Sequence, residues 1–258
     1  MTDTTAAGIL SPYLFPSVCS MSEVTREELV HSYFRVRQSL GYLGILLPLF
    51  LIVGGLLPLR QIEPSISDYY HTVLRDVFVG ILCAVAFFLI THGGGAMRTS
   101  PDDFVYRIAG FAAIGIAMFP NEGPQAAGIS TLLQIILGKD AATTGHYLSA
   151  IIFFVSLAYM CIVKFPRFCD PLRGRIYRMC GVTIVAMTVL IIAASTVKVH
   201  GSGTAQRMVM DLRIVLWLEA IAIWAFCAAW LMKGRDELGL EPRRWWPRST
   251  AQIAAPAE

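Results

Sequence analysis

Only 15% of the 258 residues are charged and 55% are hydrophobic, with a mean hydropathy of +0.60. Soluble domains carry about 25% charged residues, so the composition excludes an ordinary soluble domain and points to an all-α, polytopic membrane bundle. The net charge of +3 is small and the arginines sit at helix ends. No basic stripe offers a nucleic-acid footprint, and membrane lipids are the expected partners. Composition leaves the oligomeric state open.

Residues 1–21 read as a disordered tail. They lack the basic start of a cleavable signal peptide, and Pro12 and Pro16 interrupt any apolar core. Ser22 or Thr25 can cap a helix over residues 22–39, with Glu27 and Glu28 in its first turns. Val24, Leu29, Val30, Phe34 and Val36 alternate there with Arg26, Arg35 and Arg37. That pattern suits an amphipathic helix on the membrane surface, or an ordinary solvated lead-in.

A transmembrane helix needs about 20 mainly apolar residues. Six segments qualify: 40–59, 74–93, 104–120, 146–164, 179–198 and 212–232. The apolar stretch 126–138 is too short to span and is expected to be a re-entrant or interfacial helix. Residues 40–234 thus form the six-helix transmembrane domain and 235–258 a cytoplasmic tail, where Trp245 and Trp246 beside Arg243 and Arg244 look like an interfacial anchor.

With six spans the termini share a side. Arg60, Arg75, Lys139, Lys198, Arg207 and Arg213 fall on the other side, and the remaining fifteen of the 21 basic residues fall with the termini. The positive-inside rule then places both termini in the cytoplasm, with the bundle in a cell membrane. Of the six cysteines, Cys83, Cys161 and Cys227 lie in apolar runs, and no pair has CxxC spacing. They read as small buried hydrophobes.

The stretch Pro64–Asp76 packs two serines, two aspartates, two tyrosines, a histidine and an arginine between two spans. A helix starting near Ser67 would align Asp68, His71 and Arg75 on one face. They would form a polar pocket with Tyr70, or Ser67 and Asp68 would simply cap the helix. His71, His146 and His200 all fall on the outer side, with Asp68, Asp76, Glu122 and Asp211. His146 opens the fourth span after a Thr143-Thr144-Gly145 break. Glu219 lies seven residues into the last span, about 10 Å deep. An ionisable group there needs a partner, and Arg75 entering from the same side is the candidate. That pair would build a pocket with Asp211, or only lock two helices together.

Two stretches carry a family likeness: Ser65-Ile-Ser-Asp-Tyr-Tyr-His-Thr with Arg75-Asp-Val-Phe-Val-Gly80, and Trp217-Leu-Glu-Ala-Ile-Ala-Ile-Trp-Ala-Phe226 with Trp230-Leu-Met-Lys-Gly234. Together they resemble a group of uncharacterised bacterial multipass proteins, domain of unknown function 998. The resemblance covers residues 40–234 and implies a helical membrane bundle without an activity. A more distant likeness is to the CREST membrane hydrolases, which use a Ser-x-x-x-His pair, an Asp and a late His-x-x-x-His to hold zinc. Ser67 and His71 match the first spacing and Asp76 stands for the aspartate. The late pair is missing, so His146 and Glu219 would have to replace it.

Three functions follow as expectations. The first is a membrane protein with an outward-facing polar pocket for a lipid headgroup or small ligand, drawn from Asp68, Tyr70, Arg75, Asp211 and Glu219. The second is a metal-dependent hydrolase of lipid amide or ester bonds, with Ser67, His71 and Asp76 in the chemistry and His71 and His146 on zinc. The third, a transporter or channel, would put ionisable groups through the whole membrane depth. Spans one, three, four and five show almost none at their centres.

Overall fold

The computed structural model describes residues 23–92, 101–122, 131–167 and 169–237. The expected tail 1–21, the cap at Ser22, the first half of the 126–138 segment and the Trp245–Trp246 anchor lie outside them. The described residues hold no strand and fall into eight α-helices. These are α1 (Glu23–Gly54), α2 (Arg75–His92), α3 (Pro101–Met118), α4 (Leu132–Leu137), α5 (Lys139–Tyr159), α6 (Pro171–His200), α7 (Gly203–Asp211) and α8 (Ile214–Glu237). The chain divides into two compact units, 1–36 and 37–258, and the architecture below is that of the second.

Among the described residues, five helical segments are long and apolar enough to cross a membrane: His31–Leu57, Arg75–His92, Lys139–Lys164, Pro171–His200 and Ile214–Arg235. Helix α3 has 18 residues, as many as α2. Asp102, Asp103 and Arg107 in its first turns set it apart from the five. Helix α4 is a six-residue turn with a capping box, in which Thr131 Oγ1 accepts from Gln134 N–H and Gln134 Oε1 accepts from Thr131 N–H.

Several boundaries differ from the sequence reading. No break separates an interfacial helix from a first span, because α1 runs unbroken through residue 39. Its 32 residues make it about 48 Å long. Pro48 sits inside it, as membrane helices tolerate. The Thr143-Thr144-Gly145 break is absent as well, since α5 already runs from Lys139. Helix α6 starts at Pro171, behind the Asp170 carboxylate, which accepts from Leu172 N–H at 3.2 Å. That cap draws Arg173, Arg175 and Arg178, which lie between the expected spans 146–164 and 179–198, into the helix.

Packing follows the chain: α2 on α3, α3 on α5, α5 on α6 and α6 on α8. Small residues let backbones approach. A Cβ on Gly110 of α3 would lie 2.7 Å from Ala86 O of α2, and one on Gly44 of α1 would lie 2.5 Å from Cys227 Sγ of α8.

One end of the bundle closes on Trp230, which is fully buried. Its Nε1–H donates to Arg37 O at 2.9 Å, and the Arg37 guanidinium lies 4.9 Å from the ring. His92, Tyr106, Phe165 and Phe226 pack around it at 5.1–6.2 Å between centroids. The opposite end is polar, and the segment between α1 and α2 folds into it.

Candidate functional site

The polar end is organised by residues 60–74, which form no α-helix. A π-helical turn (Gly55–Leu59) ends α1, and Arg60 follows with a left-handed φ of 51°. The chain then dips against the start of α8. Leu216 N–H, among the first donors of α8 and without an intrahelical acceptor, donates to Pro64 O at 3.0 Å. Arg213 Nε donates to Ile62 O at 2.7 Å. Ile66 N–H donates to Glu219 Oε2 at 2.6 Å. Burial raises the pKa of Glu63 above its usual value, with the nearby Asp68 charge adding to it.

The partner expected for Glu219 is therefore wrong. Arg75 does not pair with it. Arg75 Nη2 donates to Tyr70 Oη at 2.9 Å, and the guanidinium lies 4.4 Å from the Tyr70 ring. The carboxyl group is held by a backbone N–H of the dipping loop, and its other neighbour is the Ser67 side chain.

Ser67–His71 is a 3-10 turn, not the start of α2. Thr72 breaks it with extended backbone (φ −114°, ψ 175°). The Thr72 hydroxyl donates to Tyr69 O at 2.9 Å and accepts Leu74 N–H at 3.1 Å. Asp68, His71 and Arg75 therefore share no helix face. Tyr69 and Tyr70 are buried. Burial also raises the Tyr69 phenol pKa.

Two hydrogen-bonded chains start from the turn. In the first, His71 Nε2 meets Asn121 Oδ1 at 3.0 Å and Asn121 O at 3.1 Å. Asn121 Nδ2 donates to Asp68 Oδ1 at 2.6 Å. Lys198 Nζ, in the last turn of α6, contacts both Asp68 oxygens at 2.6 and 2.5 Å. In the second, Ser67 Oγ lies 3.0 Å from His146 Nε2, and His146 Nδ1 lies 2.8 Å from Phe119 O. A carbonyl only accepts, so Nδ1 carries the proton and Nε2 is left to accept from the Ser67 hydroxyl.

Both chains border a cavity of about 210 Å³. Ser65, Ser67, Asn121, Glu122, His146, Lys198 and Glu219 line its polar part. Ala150, Ile151 and Phe154 of α5 and Ile191 and Ile192 of α6 line its apolar part. Ile151 and Ile192 are themselves exposed on the outside of the bundle, so the apolar walls continue onto its flank.

The structure thus gathers Ser67, Asp68, His146 and Glu219, and leaves other expected residues elsewhere. His71 reaches the group only through Asn121. Tyr70 and Arg75 form a separate pair. Asp76 and Asp211 are exposed and outside the cavity wall. Asp211 and Glu219 do not share a helix, because Arg213 (φ 53°) turns the chain between α7 and α8. Asn121 and Lys198 were not singled out from sequence. The signals were a lysine closing a long apolar run and an amide just past Pro120.

Zinc does not fit these donors. Among the described residues no three His, Cys, Asp or Glu side chains converge as a metal set. His146 has both ring nitrogens engaged and His71 turns Nε2 to Asn121.

No protein-family model matches the chain, and no curated protein or solved structure is significantly similar to it.

Proposed function

We propose that the chain is an integral membrane protein whose six long helices cross the bilayer with both termini cytoplasmic. On this reading the cavity at the outer end holds an amphiphile by its polar head. The observation that carries the proposal is the split lining of the cavity. Donors and acceptors gather where Ser67, Asn121, His146 and Glu219 meet, isoleucine, phenylalanine, alanine and valine line most of the rest beside Thr188, Ser195 and Thr196 of α6, and the apolar walls run out to the lipid-facing flank. Ligand sites combine mostly apolar walls with a few placed polar groups in this way.

Charge narrows the head. Lys198 is already bound through both Asp68 oxygens, so its charge is compensated. The remaining lining offers hydroxyl, amide, imidazole and carboxyl groups. An uncharged head with hydroxyl and carbonyl oxygens suits that set better than a phosphate, and a monoacylglycerol has that chemistry.

The test is thermal unfolding of the full chain in nanodiscs, with and without 1-oleoylglycerol. The expected result is a higher midpoint with the lipid. Ile151→Trp, which fills the apolar part of the cavity, should abolish the gain without lowering the lipid-free midpoint by more than a few degrees. No shift in the native chain, with no lipid retained through delipidation, would overturn the reading.

A further inference from the structure

We infer that Ser67 and His146 form a nucleophile–base pair that cleaves the carboxylic ester of an acyl lipid bound in this cavity; the inference rests on the amphiphile reading above. Three observations converge on it. Ser67 and His146 both line the cavity, and His146 is only 1% exposed, so the hydroxyl and its imidazole partner face the same enclosed space. The Oγ–Nε2 separation of 3.0 Å is hydrogen-bond reach for a serine and its base. The Phe119 carbonyl fixes the Nδ1–H tautomer and ring orientation, as the third member of a triad does.

The pairing differs from the spacing match in the sequence, where His71 follows Ser67 by four residues. His71 spends Nε2 on Asn121, whereas the histidine that meets Ser67 comes from α5, 79 residues away. No metal is required.

The chemistry balances as an ester hydrolysis. Ser67 Oγ bonds to the ester carbonyl carbon while its proton passes to His146 Nε2, and the carbonyl π pair becomes an oxyanion. The C=O bond reforms, the bond to the alcohol oxygen breaks, and that oxygen leaves with the proton from Nε2. The acyl group is then an ester of Ser67. Water attacks it, giving one proton to Nε2, and the carboxylic acid departs as that proton returns to Ser67 Oγ. Nothing is oxidised or reduced.

The experiment exposes the full chain in nanodiscs to a fluorophosphonate, which phosphonylates activated serines, and maps the adduct by peptide mass spectrometry. Hydrolysis of 1-oleoylglycerol is followed in parallel. The expected adduct is on Ser67, is suppressed by excess 1-oleoylglycerol, and disappears with hydrolysis in Ser67→Ala. His146→Gln should lower the labelling rate at least about 100-fold, as loss of a general base does. It should still unfold cooperatively and still be stabilised by 1-oleoylglycerol, with a midpoint lowered by loss of the bond to Phe119 O. If His146→Gln does not fold, the native chain decides the matter: its labelling rate must fall with a single protonation as pH is lowered. A Ser67 that stays unlabelled while 1-oleoylglycerol still stabilises the chain would overturn the pair and leave the cavity reading standing. Labelling independent of His146 and of pH would overturn it too. Absence of lipid stabilisation would instead sink the cavity reading beneath it.

Discussion

Glu219 owes its depth in α8 to a single backbone donor. The loop before α2 must bury Ile66 N–H, and an unsatisfied buried amide costs about 1–3 kcal/mol. The carboxyl group accepts that bond at 2.6 Å. Asp68 is similarly committed, because it lies 7% exposed between Asn121 and Lys198. Removing one partner of a buried pair leaves the other charge uncompensated and costs about 3–5 kcal/mol. Asp68→Ala should therefore lose stability of that order in a denaturant titration, and Asp68→Ala/Lys198→Met should recover much of it. Equal losses in the single and double variants would mean that the two charges do not depend on each other. Glu63 gives a smaller, pH-dependent effect. Its folded pKa lies above the usual 4.5, so the folded chain binds its proton more tightly than the unfolded chain. The stability it adds is complete below pH 4.5 and is lost as pH rises through the folded value. Glu63→Gln should raise the midpoint at pH 7 and flatten its pH dependence from 4.5 upward.

At the scale of elements, the turn at Ser67–His71 decides which side chains can act together. A continuous helix would have presented Asp68, His71 and Arg75 in a row. The 3-10 turn and the extended Thr72 instead send Ser67 to α5, Asp68 to α6, and Arg75 back to Tyr70. Thr72→Val removes the hydroxyl that serves both the turn and Leu74 N–H. It should cost about 1 kcal/mol, like the loss of a helix cap, and lower Ser67 labelling along with it. The α2–α3 contact sets a second local constraint. A Cβ at Gly110 meets the Ala86 carbonyl, which is backbone and cannot rotate away. Gly110→Ala should cost about 1–3 kcal/mol through forced separation of the helices, whereas Gly80→Ala, with nothing within 4 Å, should be neutral. Similar effects at the two positions would count against close α2–α3 packing.

Over the whole molecule, the two ends differ in kind. One is an aromatic cluster on Trp230 and the other is a hydrogen-bonded polar network. The proposed topology puts the network outside and the Trp230 end inside. In a cysteine-free background, Ser202→Cys should react with an impermeant maleimide on intact cells, and Arg173→Cys only after permeabilisation. The reverse pattern would invert the bundle and place the cavity on the cytoplasmic side.

Hydropathy and charge suffice for what is local. Runs of apolar residues mark the long helices because bilayer thickness sets their length, and residues 60–74 stand out because polar side chains cluster there between two such runs. Ser67, Asp68, His146 and Glu219 were visible for the same reason, since a polar group in or beside an apolar run is costly wherever it points. Partner choice is not local. Ser67 meets His146 across 79 residues and Ile66 meets Glu219 across 153. Those meetings depend on how each helix is rotated and how deeply the loop dips, which the packing of α2, α3, α5, α6 and α8 fixes collectively. From sequence, His71 was the nearest histidine to Ser67 and Arg75 the natural counter-ion of Glu219. The tertiary structure assigned both roles elsewhere, because a backbone amide and a carbonyl, which no residue type reveals, had to find partners first.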